Sequence, residues 1–160
     1  MKNIRATDIY GKEYSIEVKN LSLSIHVYGI AVKDSRILVL PGYDGFGFPG
    51  GTLELGETHR ETLRREFLEE TGLEIEIDQL LGVYDSFFRD EEYDISDQSL
   101  LIFCSVKIES GEISDAGFDA AEKKFAKKAV WKTLEELHEM RLAMNIDLKN
   151  ELLGFVEKLI

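Results

Sequence analysis

The run RREFLEETG, Arg64 to Gly72, crowds three carboxylates, Glu66, Glu69 and Glu70, into five consecutive positions. Upstream, Thr58-His59-Arg60-Glu61 has the form of a capping box, a Thr N-cap with Glu three residues on. The spacing predicts a helix from Thr58 to about Thr71, with Gly72 as its left-handed C-terminal cap. At about 100° per residue, Leu63 and Phe67 form its core-facing stripe. Glu66 and Glu70 then fall within roughly 80° of the centre of that stripe, and Glu69 lies further round on the same side.

A solvated acidic face would set its carboxylates opposite the apolar stripe, with cations between them. Here they flank the buried edge, where repulsion is less screened, and Glu66–Glu70 is an i,i+4 like-charge pair that an isolated helix avoids. Arg65, four residues before Glu69, is the one base well placed to help, and it is expected to point away from the Glu66–Glu70 edge. Hard oxygen donors clustered at a partly buried edge call for a hard divalent cation, Mg²⁺ or Mn²⁺.

The 160 residues predict one domain of common size, and 44% hydrophobic content is enough for a sizeable core. The net charge of -12 disfavours an extended nucleic acid or an anionic membrane as partner. A small anionic substrate is compatible with that charge if metal ions screen the site. Cys104 is the only cysteine, so no intrachain disulfide forms, and a reducing, cytoplasmic setting fits. The N-terminus lacks the apolar stretch of a signal peptide, and no run approaches 18 apolar residues, so a soluble protein is expected.

YSIEV and LSLSIHVYGIAV read as strands, and RILVL, after the turn-like KDS, pairs with the strand before it. PGYDGFGFPGG (Pro41 to Gly51) holds five glycines and both prolines and reads as a loop. EIEIDQLLGVYDSFF and SLLIFCSVKI are two further strands, while WKTLEELHEM and NIDLKNELLGFVEKL have helical spacing. Strands and helices mix without strict alternation, which predicts an α/β fold with helices packed on a mixed sheet.

Gly51-Thr-Leu-Glu-Leu-Gly-Glu57, seven further residues, and Arg65-Glu66-Phe67-Leu68-Glu69-Glu70-Thr71-Gly72-Leu73 fill all nine specified positions of a 23-residue pattern. The pattern resembles the signature of the Nudix hydrolases. A chance match in a chain this long is on the order of one in ten million. FPGG (Phe48 to Gly51) and VWKTLEEL (Val130 to Leu137) extend the likeness to roughly residues 24–140, while the first twenty residues carry no such mark.

The resemblance implies a Nudix-type α/β/α sandwich with a mixed β-sheet and a loop–helix–loop box at residues 51–73. N-terminal strands at about 1–20 and C-terminal helices at about 133–160 flank it. It further implies metal-dependent hydrolysis of a phosphoanhydride bond in a nucleoside diphosphate linked to another moiety. Glu66 and Glu70 would be the main metal ligands, Glu69 would join the ligand set or activate water, and Gly50 would offer its backbone carbonyl. Arg65 would orient Glu57 by a salt bridge. The general base is a box glutamate or a later acid; Glu122 is the candidate, with Glu109, Glu112, Asp115 and Asp119 in competition.

Two other readings stay open at this level. One is a Nudix-fold domain that senses a nucleotide without cleaving it. The other is an isoprenyl diphosphate isomerase, disfavoured because Cys104 lies in an apolar strand far from the box. The substrate is a small nucleotide-type molecule, a nucleotide, nucleotide-sugar or dinucleoside polyphosphate. No proline follows Pro49, which weakens an ADP-ribose assignment. A homodimer is plausible through pairing of the N-terminal strands.

Other residues read as bland: Cys104 and Trp131 as packing, His26 as a structural strand residue, His59 and His138 without a role, and Lys123, Lys124, Lys127 and Lys128 as a solvated patch. Tyr43, Phe46, Phe87, Phe88 and Tyr93 are candidates to border the substrate, and Arg60, Arg64 and Arg89 to reach phosphates.

Overall fold

The computed structural model describes residues 2–42, 45–118, 127–143 and 148–160. The long strands come from the segments richest in β-branched and aromatic residues. β3 (Ser22–Lys33) turns at Asp34 and Ser35 into β4 (Arg36–Gly42). Both turn residues have positive φ, 51° and 56°, as a two-residue hairpin twisted with its strands requires. β7 (Leu73–Asp90) and β8 (Ile95–Gly111) form a long antiparallel hairpin, and β8 then pairs in parallel with β3 from Ser22 to Ala31.

Alternation along these strands sorts the core into two layers. Val27, Ala31, Leu38, Leu40, Cys104 and Val106 face α1 (His59–Thr71), where they enclose Leu63 and Phe67. Ile30, Ile37, Val39, Leu101 and Phe103 face the other way, against Leu137 of α2 (Leu134–Glu139) and Leu152, Leu153 and Val156 of α3 (Lys149–Leu159). Helices therefore cover both faces of a mixed sheet, as the sequence led us to expect.

The remaining strands are β1 (Asn3–Thr7), β2 (Glu13–Glu17), β5 (Gly45–Gly47), β6 (Gly50–Thr52), β9 (Val130–Lys132) and β10 (Arg141–Leu142). Among the described residues the order is β10-β5-β4-β3-β8-β7-β1-β2, with β6 on β3 and β9 on β4. β3 changes partner along its length: Val32 and Lys33 pair with β4, whereas His26, Val27 and Tyr28 pair with β6. This partner change seats the glycine segment beside the sheet and next to α1.

The reading of Pro41 to Gly51 as a loop is corrected in part. β4 runs on to Gly42, β5 folds back on it, and β6 begins at Gly50. Buried Phe46 and Phe48 anchor the segment, and Phe48 meets Phe103 edge-on at 6.2 Å. Glycine content masked this pairing, because the apolar anchors are only two.

Candidate active site

Helix α1 starts where the sequence predicts, with both halves of the capping box present: Thr58 N–H donates to Glu61 Oε2 at 2.7 Å and Glu61 N–H to Thr58 Oγ1 at 3.3 Å. Gly72 closes the helix in the left-handed region, φ 73°, its N–H donating to the Leu68 carbonyl. Leu63 and Phe67 are fully buried. A Cβ on Gly29 would lie 2.9 Å from the Phe67 ring, so the glycine lets the helix settle onto β3.

The acids are graded around this anchored stripe. The Glu66 side chain is 14% exposed and that of Glu69 49%, with Glu70 half-buried. Gly50 N–H donates to Glu70 Oε2 at 2.7 Å. Gly50 has φ 142°, and a Cβ there would sit 2.0 Å from the Val27 carbonyl oxygen, so only glycine fits. At Gly51 a Cβ would come within 2.5 Å of the Glu66 carboxylate. The bare backbone of Gly51 is thus the cradle in which Glu66 rests.

Arg65 ties this edge together. Its Nε and Nη2 donate to the two oxygens of Glu57 at 2.7 and 2.9 Å, so the salt bridge that the resemblance implies is bidentate. Its expected orientation away from the Glu66–Glu70 edge is corrected: Nη1 donates to Glu66 Oε1 at 2.8 Å and lies 3.4 Å from Glu69 Oε2. A guanidinium carries five donors, so one side chain serves several carboxylates that would otherwise repel. The Arg65 bonds hold the Glu57 carboxyl down at about 2, with Thr62 Oγ1, 2.9 Å away, and the Glu54 amide assisting. Burial raises the Tyr28 phenol, and the charges of Glu70 and Glu66 push it the same way.

Three partners were not legible in the pattern. Thr62, Thr52 and Tyr28 occupy positions at which the box motif specifies no residue or which lie outside it. Thr62 is fully buried and donates to Glu57, and the Thr52 carbonyl accepts from Arg65 Nη2 at 3.4 Å. A threonine one turn after a capping threonine was the only available signal for Thr62.

Glu66, Glu69 and Glu70 supply hard carboxylate oxygens from one helix, with Glu66 resting against the bare backbone of Gly51. That donor set suits Mg²⁺ or Mn²⁺ and not a soft metal. Among the described residues no three His, Cys, Asp or Glu side chains converge as a finished ligand group. Glu66 meets Arg65 and Glu70 meets Gly50 N–H in this arrangement.

Of the later acids, Glu109 and Glu112 are exposed near the C-terminal end of α1. Asp115 lies in a turn whose Gly117 abuts the Glu69 backbone. Glu122, Asp119, Tyr43, Lys123 and Lys124 lie outside the described residues. Phe46 is core and borders no surface, and Arg89 is engaged by Asp94 at 2.7 Å and Ser96 at 3.1 Å. Cys104 is buried and Trp131 packs on the α1-side core, as expected. No helix among the described residues is long and apolar enough to cross a membrane.

The family model of the NUDIX domain matches residues 23–152. An ADP-ribose pyrophosphatase of Methanocaldococcus jannaschii is 36% identical over 137 residues, spanning 76% of this chain and 78% of that protein. The MutT protein of Bacillus halodurans superposes with TM-score 0.61 at 26% identity, covering 81% of this chain and 82% of its own. The E. coli ORF135 protein shares the fold at TM-score 0.62 and 20% identity, over 86% and 94% of the two chains. The chain belongs to the Nudix family and is a Nudix pyrophosphohydrolase, a hydrolase of acid anhydrides.

Proposed function

We propose that the enzyme uses Mg²⁺ or Mn²⁺ to hydrolyse the phosphoanhydride bond of a nucleoside diphosphate linked to another moiety. The observation that carries this reading is the seating of Glu66 against bare Gly51 and of Glu70 on the Gly50 amide, at one helix edge. Bound there, a divalent metal would supply charge neutralisation at phosphate oxygens and a lowered pKa for water. Glu66 and Glu70 are the proposed main ligands, with Gly50 offering its carbonyl.

Arg65 and Glu57 hold that edge in place as a paired support. Glu69, the most solvent-accessible of the three acids, adds a ligand oxygen or accepts the proton of the attacking water. The water oxygen bonds to phosphorus, the bridging P–O bond breaks, and two phosphate-bearing products leave. The glycine-rich approach admits a phosphate without a Cβ in its way.

The 36% identical relative makes ADP-ribose the first substrate to try, although the proline marker of ADP-ribose hydrolases is missing downstream of the box. Nucleotide-sugars and dinucleoside polyphosphates follow. A cytoplasmic setting accords with the single, buried cysteine. The test is a metal-supplemented screen over these classes that reads the phosphate-bearing products. Turnover of none of them with either metal would overturn the reading.

A further inference from the structure

On the sheet face opposite α1, a buried carboxylate begins a chain of side chains that ends in the box. Asp97 on β8 is 8% exposed and receives three hydroxyls. Ser22 donates to Oδ1 at 2.7 Å, and Ser99 (2.5 Å) and Ser24 donate to Oδ2. A serine has one proton, so with that proton on Asp97 the Ser24 oxygen can only accept. Its next neighbour is His26 Nε2, 2.8 Å away, which must therefore carry the imidazole proton. His26 Nδ1 is then the acceptor, and Thr52 Oγ1 lies 3.2 Å from it.

The backbone runs in step with this chain. His26 pairs with Thr52 across the β3–β6 ladder, Val27 with Gly51 and Tyr28 with Gly50. The three β6 residues held by the ladder are those that touch Glu70, cradle Glu66 and accept from Arg65. β6 is three residues long, and its ladder on β3 is continued by Gly29 N–H donating to the Pro49 carbonyl and Leu53 N–H to the Ile25 carbonyl, each at 2.8 Å; the His26–Thr52 contact is the side-chain link across it. The His26 ring also lies parallel to Tyr28, at 6.3 Å and 7°, which limits its rotation.

We propose that His26 is a positioning residue: as the neutral imidazole protonated on Nε2, it passes the fixed orientation of Asp97 to Thr52 and so holds β6 in register with Glu66, Glu70 and Arg65. Burial lowers the affinity of His26 for a second proton, partly offset by Asp97, in keeping with a neutral ring. Other outer partners that orient ligands in metal sites act in the same way. The kinetic consequence rests on the proposed hydrolytic reading of the site, whereas the tautomer does not.

The test pairs Thr52→Val and Thr52→Ser with ¹⁵N-histidine NMR of the full chain at pH 7.5, the His26 signals being assigned by their loss in His26→Gln. Thr52 is exposed, so its variants leave the core untouched. The wild type is expected to show the Nε2–H neutral pattern at His26. Thr52→Val should shift the Nδ1 resonance and lower kcat roughly tenfold with KM little changed, and Thr52→Ser should restore both. An Nδ1–H ring or an imidazolium in the wild type overturns the proposal, as does a Thr52→Val enzyme with wild-type kcat and Nδ1 signal. Should no substrate turn over, the hydrolytic reading falls, and the Thr52-dependent Nδ1 signal still decides for or against the relay.

Discussion

Arg65 and Glu57 face each other in a two-point clamp, Nε to Oε1 at 2.7 Å and Nη2 to Oε2 at 2.9 Å, eight residues apart across the start of α1. The same guanidinium reaches Glu66 through Nη1 at 2.8 Å. One cation thus fixes a loop carboxylate and a proposed ligand carboxylate together. Lysine offers a point charge where the fork is needed. Arg65→Lys is expected to lose about 10–100-fold in kcat or metal affinity, with the far-ultraviolet circular dichroism unchanged. Full activity in the lysine enzyme would mean that charge alone suffices.

The clamp also sets a pH window for stability. Glu57 is held at about 2, below the ordinary glutamate value of 4.5. A depressed carboxylate contributes stability that is present above its unfolded pKa and is lost as pH falls through the folded one. The stability difference between wild type and Glu57→Gln is therefore expected to stay level from pH 8 to about 5 and shrink between about 4.5 and 2. Urea titrations across that range measure it; a difference that stayed constant to pH 2 would remove the clamp from the account.

Adjacent glycines should fail differently when given a methyl group. At Gly50 the methyl would strike the Val27 backbone oxygen at 2.0 Å, with φ at 142°, so Gly50→Ala should destabilise by on the order of 1–3 kcal/mol or more. At Gly51 the obstacle is the far end of Glu66, which can swing aside. Gly51→Ala should keep its melting temperature within a few degrees and lose metal affinity. Thermal melts alongside a Mn²⁺ titration separate the two, and equal behaviour would deny the cradle.

Much of this arrangement is written in the local sequence. Leu63, Phe67 and the capping Thr58 fixed the helix and its buried side, and the positions of Glu66 and Glu70 beside that side predicted their partial burial. The turn at Asp34 and Ser35 was visible in KDS. What escaped depends on contacts between distant segments. β5 and β6 are three residues each and gain their identity from Leu40, Gly42 and β3, which local periodicity cannot report. The reach of Arg65 to Glu66 escaped because side-chain direction was inferred from helix angle alone, whereas a guanidinium on a long stem spans both sides. His26 read as a structural strand residue, and its partners Ser24, Thr52 and Asp97 meet it only through the sheet register.

The most direct test of the proposed metal edge is single-turnover hydrolysis of the best substrate from the screen, followed by ³¹P NMR with and without Mg²⁺ or Mn²⁺. Wild type, Glu66→Gln and Glu70→Gln are compared. Metal-dependent cleavage by the wild type, reduced roughly 10²-fold or more in each folded variant, is the expected result. Wild-type rates in both glutamine variants, or tight nucleotide binding with no cleavage by the wild type, would contradict the account.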